Sequence, residues 1–294
     1  MQGLDFKGLG VAMVTPFGAD GAVDYAGLKN LVNHLVNAGT EYLVVMGTTG
    51  ESVTLSKEEK QDVLDFIKEH AKGKSKIVYG CGGNDTAVIA KEMAKVKGVD
   101  GILSVSPAYN KPSQAGIYAH YEAVVQETDL PIILYNVPGR TASNMLPDTT
   151  LKLASDFKNV VAIKEASGNL EQIADIILNK PDGFEVISGD DGLTLPILAL
   201  GGIGVISVVG NAFPAEFRAM MAASEAGDYN TARQKHYQLH RLIQLLFKEG
   251  NPGGIKATLK HLGIYDGGVR LPLMPATTGL SDELLACLKA NKLI

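Results

Sequence analysis

The chain has 294 residues, of which 46% are apolar and 20% charged, and it carries a formal net charge of −5. This is the composition of a globular protein, long enough for one barrel-sized domain or two small ones. A net negative charge with no Lys/Arg cluster argues against nucleic acid and acidic membrane surfaces as partners, because both require concentrated positive charge.

Residues 1–7 lack the apolar core of a secretory signal. Two cysteines, Cys81 and Cys287, are too few for a disulfide framework, which fits the reducing cytoplasm. Short runs rich in β-branched residues then recur along the chain, at 9–14, 42–46, 76–80, 101–105, 131–135, 160–164, 184–187 and 204–209. Helical periodicity fills the gaps. Residues 56–73 open with a capping box, Ser56 and Glu59, and close at Gly73. Residues 85–98 repeat Ala87, Ala90, Met93, Ala94 and Lys97 at helical spacing. Residues 192–215 carry no charge, but Pro196, Gly201, Gly202, Gly204 and Gly210 divide them into a short helix and a strand, unlike a membrane span. Further helices are predicted at about 214–226, 228–248, 254–262 and 281–291.

Eight strands alternating with helices place the chain in the α/β class with parallel crossovers. Even spacing favours a closed (β/α)8 TIM barrel over an open doubly wound sheet. The predicted division is a catalytic barrel over 1–226 and a C-terminal helical extension over 227–294.

In such barrels the chemistry lies at the carboxyl ends of the strands. Lys164 closes the sixth run, Val160-Val161-Ala162-Ile163-Lys164, and simple alternation puts it on the strand face of Ala162 and Val160. An ammonium in an apolar lumen loses hydration, which favours the neutral amine that attack on a carbonyl requires. A lysine at a strand end can also snorkel to solvent or pair with the neighbouring Glu165. Tyr135 holds the matching place on the fifth strand, where its phenol could approach the amine and move protons, with Thr48 and Tyr109 able to extend the relay. Each of these also has a plain reading as a satisfied buried tyrosine or a turn-capping threonine.

The loop Gly47-Thr48-Thr49-Gly50-Glu51 precedes a helix, so its N–H groups form a nest for an anion, with a carboxylate as guest. Arg140 follows a Pro-Gly turn at the barrel mouth and could clamp a second carboxylate or simply be solvated. No cofactor is expected: in Gly80-Cys81-Gly82-Gly83-Asn84-Asp85 an aspartate stands where a dinucleotide loop needs its last glycine. No metal is expected either, because Tyr237, between His236 and His240, stands where a metalloprotease motif needs Glu.

Taken in order, Gly47-Thr48-Thr49-Gly50-Glu51, Tyr135-Asn136-Val137-Pro138-Gly139-Arg140-Thr141 and Ile163-Lys164-Glu165-Ala166 resemble the pyruvate-dependent class I aldolase superfamily. Residues 204–208 and Asn251-Pro252 extend the likeness over nearly the whole chain. Within the superfamily the sequence is most similar to the branch serving diaminopimelate and lysine synthesis. The resemblance implies that Lys164 binds pyruvate as a Schiff base, whose enamine adds to L-aspartate 4-semialdehyde before cyclisation. It implies a proton relay of Tyr135, Thr48 and Tyr109, the last from a neighbouring subunit. Thr48 and Thr49 would hold the pyruvate carboxylate, Arg140 the semialdehyde carboxylate, and Gly189 and Ile206 would complete the pocket wall. The implied assembly is a homotetramer, a dimer of tight dimers.

One departure bears on regulation. Lysine-inhibited members of the branch carry an acidic residue at the position of Val88, a tyrosine at that of Ala108 and often a histidine at that of Lys60. The corresponding interface site would comprise Ser52, Val53, Lys57, Lys60, Asn84, Val88 and Ala108. A ligand ammonium would meet Val88 instead of a carboxylate, with Lys57 and Lys60 repelling it. An unpaired buried charge costs several kcal/mol, more than a typical allosteric coupling of ~1–3 kcal/mol. Weak or absent lysine feedback is therefore expected, although Asn84 and Ser52 still suit a polar ligand.

Rival readings remain. Sialic-acid and keto-deoxy sugar-acid lyases share the lysine and tyrosine but generally lack the arginine. A noncatalytic keto-acid sensor would have no need of a proton relay. A phosphate-binding barrel isomerase is disfavoured by the acidic Ser188-Gly189-Asp190-Asp191 after the seventh strand.

Overall fold

The structure is a computed structural model and describes residues 6–294; part of the N-terminal stretch read above as signal-free, 1–5, lies outside the described residues. Eight strands form: β1 (Gly8–Ala12), β2 (Tyr42–Val45), β3 (Lys76–Gly80), β4 (Gly101–Val105), β5 (Ile132–Asn136), β6 (Val160–Glu165), β7 (Glu185–Ser188) and β8 (Gly204–Ser207). They close into a parallel barrel in sequence order. Between them run α1 (Tyr25–Asn37), α2 (Lys57–Ala71), α3 (Thr86–Met93), α4 (Gln114–Val125), α5 (Pro138–Thr141), α6 (Pro147–Asp156), α7 (Leu170–Asn179) and α8 (Thr194–Leu200). After β8 come α9 (Pro214–Glu225), α10 (Tyr229–Phe247), α11 (Gly253–His261) and α12 (Thr278–Ala290).

The capping box of α2 is present: the Ser56 hydroxyl accepts from the Glu59 N–H, and the Glu59 carboxylate accepts from the Ser56 N–H. Several elements end earlier than their periodicity predicts, β1 among them at Ala12. The helix expected over 85–98 stops at Met93, because Lys95 and Val96 bond back only three residues, to the carbonyls of Glu92 and Met93, and so tighten the chain out of the α form. The last strand stops at Ser207, because Val209–Asn211 wind into a 3₁₀ turn in which the Ser207 hydroxyl accepts from the Gly210 N–H at 2.8 Å. The uncharged stretch 192–215 is thereby divided among α8, β8 and this turn, and among the described residues no helix is long and apolar enough to cross a membrane.

β6 departs from simple alternation. Ile132 pairs with Val160 but Ile133 pairs with Ala162, so one residue is bulged out of the ladder. Val160 consequently packs with Ile163 in the core beneath the helices, and it does not share the face of Lys164 as alternation alone predicts. Ala162 and Lys164 keep their common face.

The chain folds as two compact units. The first, 76–206 with Phe6 and Lys7, holds β3 to β7 with most of β8. Its core sets Ile102, Ile132, Leu134, Ile163 and Val186 of the strands against Ile117, Tyr121, Leu153, Ile173 and Ile197 of the helices. Each such side chain contributes about 1.5–3 kcal/mol on burial. The second unit, 8–75 with 207–294, holds β1, β2 and the C-terminal helices. In it the Asn211 amide donates to the Ala12 carbonyl at 2.8 Å and accepts from the Val14 N–H at 3.1 Å, so the turn after β8 is tied to the end of β1.

Candidate functional site

In the first unit, Tyr135 and Lys164 are register partners at the carboxyl ends of β5 and β6. Each is only 6% exposed. The Lys164 Nζ lies 4.2 Å from the centroid of the Tyr135 ring, over its face, where the π electrons attract a cation. The Tyr135 phenol thus lies against the amine, with the ring face as the contact.

Gly189, just past β7, is shaped around Lys164. A Cβ there would lie 3.1 Å from Lys164 Cε and 2.7 Å from Ala166 Cβ. Gly189→Ala is therefore expected to displace the lysine side chain and slow adduct formation with a keto acid by about tenfold or more, since a misplacement of about 1 Å can cost two orders of magnitude. Unchanged trapping of the adduct in G189A would refute this. Ile206 is buried on β8.

Arg140 is exposed on α5, whose first turn is pinned by its own N–H donating to the Val137 carbonyl at 2.9 Å. Tyr109 is 88% exposed and sits in the left-handed backbone region at φ 66°, with its N–H donating to the Thr141 carbonyl at 3.0 Å. A non-glycine residue there is uncommon, and the conformation projects its ring into solvent.

In the second unit, Thr48–Gly50 form a 3₁₀ turn, and α2 begins only at Lys57, so the loop does not lead straight into a helix as expected. The N–H groups of Gly50 and Glu51 are spent inside the turn on the Gly47 and Thr48 carbonyls, both at 3.1 Å. A three-residue turn leaves only the Thr48 and Thr49 N–H groups unused by its own bonding, a smaller nest than a helix start. Thr48 is exposed and Thr49 buried.

The loop is braced at points the sequence reading missed. Asn251 Nδ2 donates to the Thr49 hydroxyl at 2.9 Å, and the Thr15 hydroxyl donates to the Gly50 carbonyl at 2.7 Å. Lys256 Nζ meets Glu51 Oε1 at 2.6 Å and donates to the carbonyls of Thr15 and Gly268, while Glu51 Oε2 accepts from the Arg270 N–H. Lys256 is 3% exposed, and its burial pushes it down to about 8 even with a carboxylate beside it. One signal was available: Lys256 lies among Ile255, Thr258 and Leu259 on the buried face of α11. Lys256→Ala should destabilise the protein by about 3–5 kcal/mol, because it strands the Glu51 charge out of water. A chemical denaturation midpoint equal to that of the parent would contradict this.

The residues read as a possible lysine site divide between the units. Asn84 bonds the Ala108 backbone at both ends of its amide, donating to its carbonyl at 2.6 Å and accepting from its N–H at 2.8 Å. Val88 is exposed on α3. In the second unit Val53 is 93% exposed, Lys57 is exposed, and Ser52 and Lys60 are half-buried. Among the described residues, no group of three or more His, Cys, Asp or Glu side chains could hold a metal ion.

Eight parallel strands closed in sequence order, with a buried lysine and tyrosine at adjoining carboxyl ends, define an enzyme of the (β/α)8-barrel class. The model of the dihydrodipicolinate synthetase family matches residues 5–291. A 4-hydroxy-tetrahydrodipicolinate synthase of Parabacteroides distasonis is 51% identical over 277 residues, 94% of this chain and 93% of its own. The crystal structure of dihydrodipicolinate synthase from Aquifex aeolicus matches with a TM-score of 0.94 and 44% identity, covering 98% of this chain and 99% of that one. A chloride-inhibited dihydrodipicolinate synthase from Acinetobacter baumannii, complexed with pyruvate, matches with a TM-score of 0.95 and 37% identity, covering 99% of this chain and 100% of that one. The chain belongs to the dihydrodipicolinate synthetase family, and its activity is that of a 4-hydroxy-tetrahydrodipicolinate synthase, a lyase of lysine biosynthesis.

Proposed function

We propose that this chain condenses pyruvate with L-aspartate 4-semialdehyde through a Schiff base on Lys164. The carrying observation is the pairing of buried Lys164 with buried Tyr135, beside a Gly189 whose lack of a side chain leaves room for the lysine. The neutral amine attacks C2 of pyruvate, and loss of water from the carbinolamine gives the imine. The imine draws electrons from C3, so loss of a C3 proton yields an enamine, whose C3 adds to the aldehyde carbon of the semialdehyde before cyclisation. Tyr135, Thr48 and Tyr109 move the protons these steps require, with Tyr109 supplied by a neighbouring subunit, a role suited to its exposure in the single chain. Thr48 and Thr49 hold the pyruvate carboxylate, Arg140 holds that of the semialdehyde, and Ile206 walls the pocket with Gly189. Borohydride reduction in the presence of pyruvate, followed by peptide mapping, tests the central claim; an adduct on any residue other than Lys164 would overturn it.

In the proposed division of labour, residues 1–226 perform the chemistry and the helices of 227–294 brace it, as Asn251 and Lys256 do for the Thr49–Glu51 turn. The proposed assembly is a homotetramer of two tight dimers, in which the exposed Tyr109 is covered. Sedimentation at micromolar concentration should show a tetramer. The proposed setting is the cytoplasm, where the reduced cysteines Cys81 and Cys287, which form no disulfide, are stable.

Lysine feedback is proposed to be weak or absent. Val88 offers an ammonium no carboxylate, and Asn84 is already committed to the Ala108 backbone. Activity at ~1 mM lysine should stay within about twofold of the uninhibited rate, since a coupling under ~0.5 kcal/mol gives little more. Strong inhibition at that concentration would refute the assignment.

A further inference from the structure

Glu165 immediately follows Lys164 but faces the other way, toward the helices, and is 0% exposed. It is the acceptor at the centre of a buried amide network. Oε1 accepts from the Ser167 N–H at 2.7 Å, and Oε2 accepts from Gln172 Nε2 at 3.0 Å. Asn136 Nδ2 reaches both oxygens, at 3.2 and 3.1 Å. These partners are all N–H donors, and only an acceptor-only group, a carboxylate, satisfies every one of them.

The same Asn136 closes the segment that carries Arg140. Its Oδ1 accepts from the Met145 N–H at 3.0 Å, and its Nδ2 also donates to Asn144 Oδ1 at 2.8 Å. Asn144 Nδ2 in turn donates to Gln172 Oε1 at 2.8 Å. Residues 137–143, including α5, therefore leave and re-enter the protein at two feet, Asn136 and Asn144-Met145, both tied to Glu165 directly or through one amide. Inside the segment the side-chain bonds are local, the Thr141 hydroxyl donating to the Ser143 carbonyl at 2.7 Å and to the Val137 carbonyl at 3.2 Å, and one backbone bond comes from outside, from the Tyr109 N–H to the Thr141 carbonyl. The local bonds keep the shape of the segment, and beyond the single backbone contact with Tyr109 its placement falls to the two feet.

We infer that Glu165 is a positioning residue for Arg140, fixing both feet of the 137–143 segment so that the guanidinium is held for the carboxylate of the second substrate. The inference rests on the proposed role of Arg140. It predicts a split between the two substrates, because Glu165 and Lys164 project from opposite faces of β6 and the amine makes no use of the amide network.

Glu165→Gln keeps the size of the side chain but turns an NH2 group toward N–H donors, so at least one contact is lost. In E165Q, KM for aspartate semialdehyde should rise about tenfold or more, while the rate of borohydride-trapped pyruvate adduct on Lys164 stays within about threefold. Combined with Arg140→Ala, E165Q should raise that KM by less than about threefold beyond R140A alone, the non-additivity of two residues acting through one contact. Equal losses with pyruvate and semialdehyde, or fully multiplicative effects in the double variant, would overturn the inference. A raised KM in R140A with a parental KM in E165Q would overturn it alone. A parental KM in R140A would bring down the reading of Arg140 first, and this inference with it. Should E165Q not fold, Asn144→Ala, which removes the side-chain ties of the second foot to Asn136 and Gln172 without touching the carboxylate, is judged by the same criteria.

Discussion

Lys164→Ala is expected to reduce kcat by about a thousandfold or more and to abolish the pyruvate adduct, while leaving the fold intact. The size follows from what the amine does. Without it no imine forms, the C3 proton of pyruvate has no adjacent electron sink, and only positioning and general acid–base effects remain. The preserved fold follows from its surroundings. The Nζ rests on the Tyr135 ring, a contact worth about 0.5–2 kcal/mol, against a desolvation cost of opposite sign. Truncation strands no buried countercharge, so the melting temperature should hold or rise slightly. This is the reverse of Lys256→Ala, where Glu51 is left behind. Measuring kcat, adduct mass and thermal midpoint on both variants separates a lysine that reacts from a lysine that braces. A K164A enzyme turning over at more than a tenth of the parental rate would remove the Schiff base from the mechanism.

Arg140→Ala is expected to raise KM for aspartate semialdehyde by about 30- to 100-fold with little change in pyruvate adduct formation. A charge-assisted, two-point contact between guanidinium and carboxylate is worth roughly 2–3 kcal/mol, and each 1.4 kcal/mol is a factor of ten. The side chain is exposed on α5, so its removal should alter stability by no more than about 0.5 kcal/mol. Arg140→Lys should recover only part of the loss, because an ammonium keeps the charge but not the planar pair of donors. Steady-state kinetics with each substrate varied in turn provide the measurement; a parallel fall in use of both substrates would point to a collapsed segment.

The elements were legible because their causes are local. The boundaries of β3 and β4, the Ser56–Glu59 capping box and the sequence of C-terminal helices follow from periodicity and end signals within a few residues. The bulge in β6 was not legible, since the four apolar residues before Lys164 give no local reason for one of them to leave the ladder. Glu165 shows the same limit from the side of the site. Adjacency made it a possible partner for Lys164, yet the strand turns successive side chains to opposite faces, and the carboxylate finds Asn136 and Gln172 instead. The buried pair of Glu51 and Lys256, 205 residues apart, carried only the faint mark of a lysine on an apolar helix face.

By itself, then, the order of residues along this chain determined the (β/α)8 class, the strand ends where chemistry gathers and the lysine–tyrosine pair, because hydrophobic period, caps and strand position are short-range properties. Tertiary structure alone decided that the lysine rests on the tyrosine ring, that Glu165 and Asn136 hold the arginine-bearing segment and that Asn251 and Lys256 hold the threonine turn. Those outcomes depend on which distant polar groups are buried together, and once out of water each must find its partner in whatever the fold brings within about 3 Å.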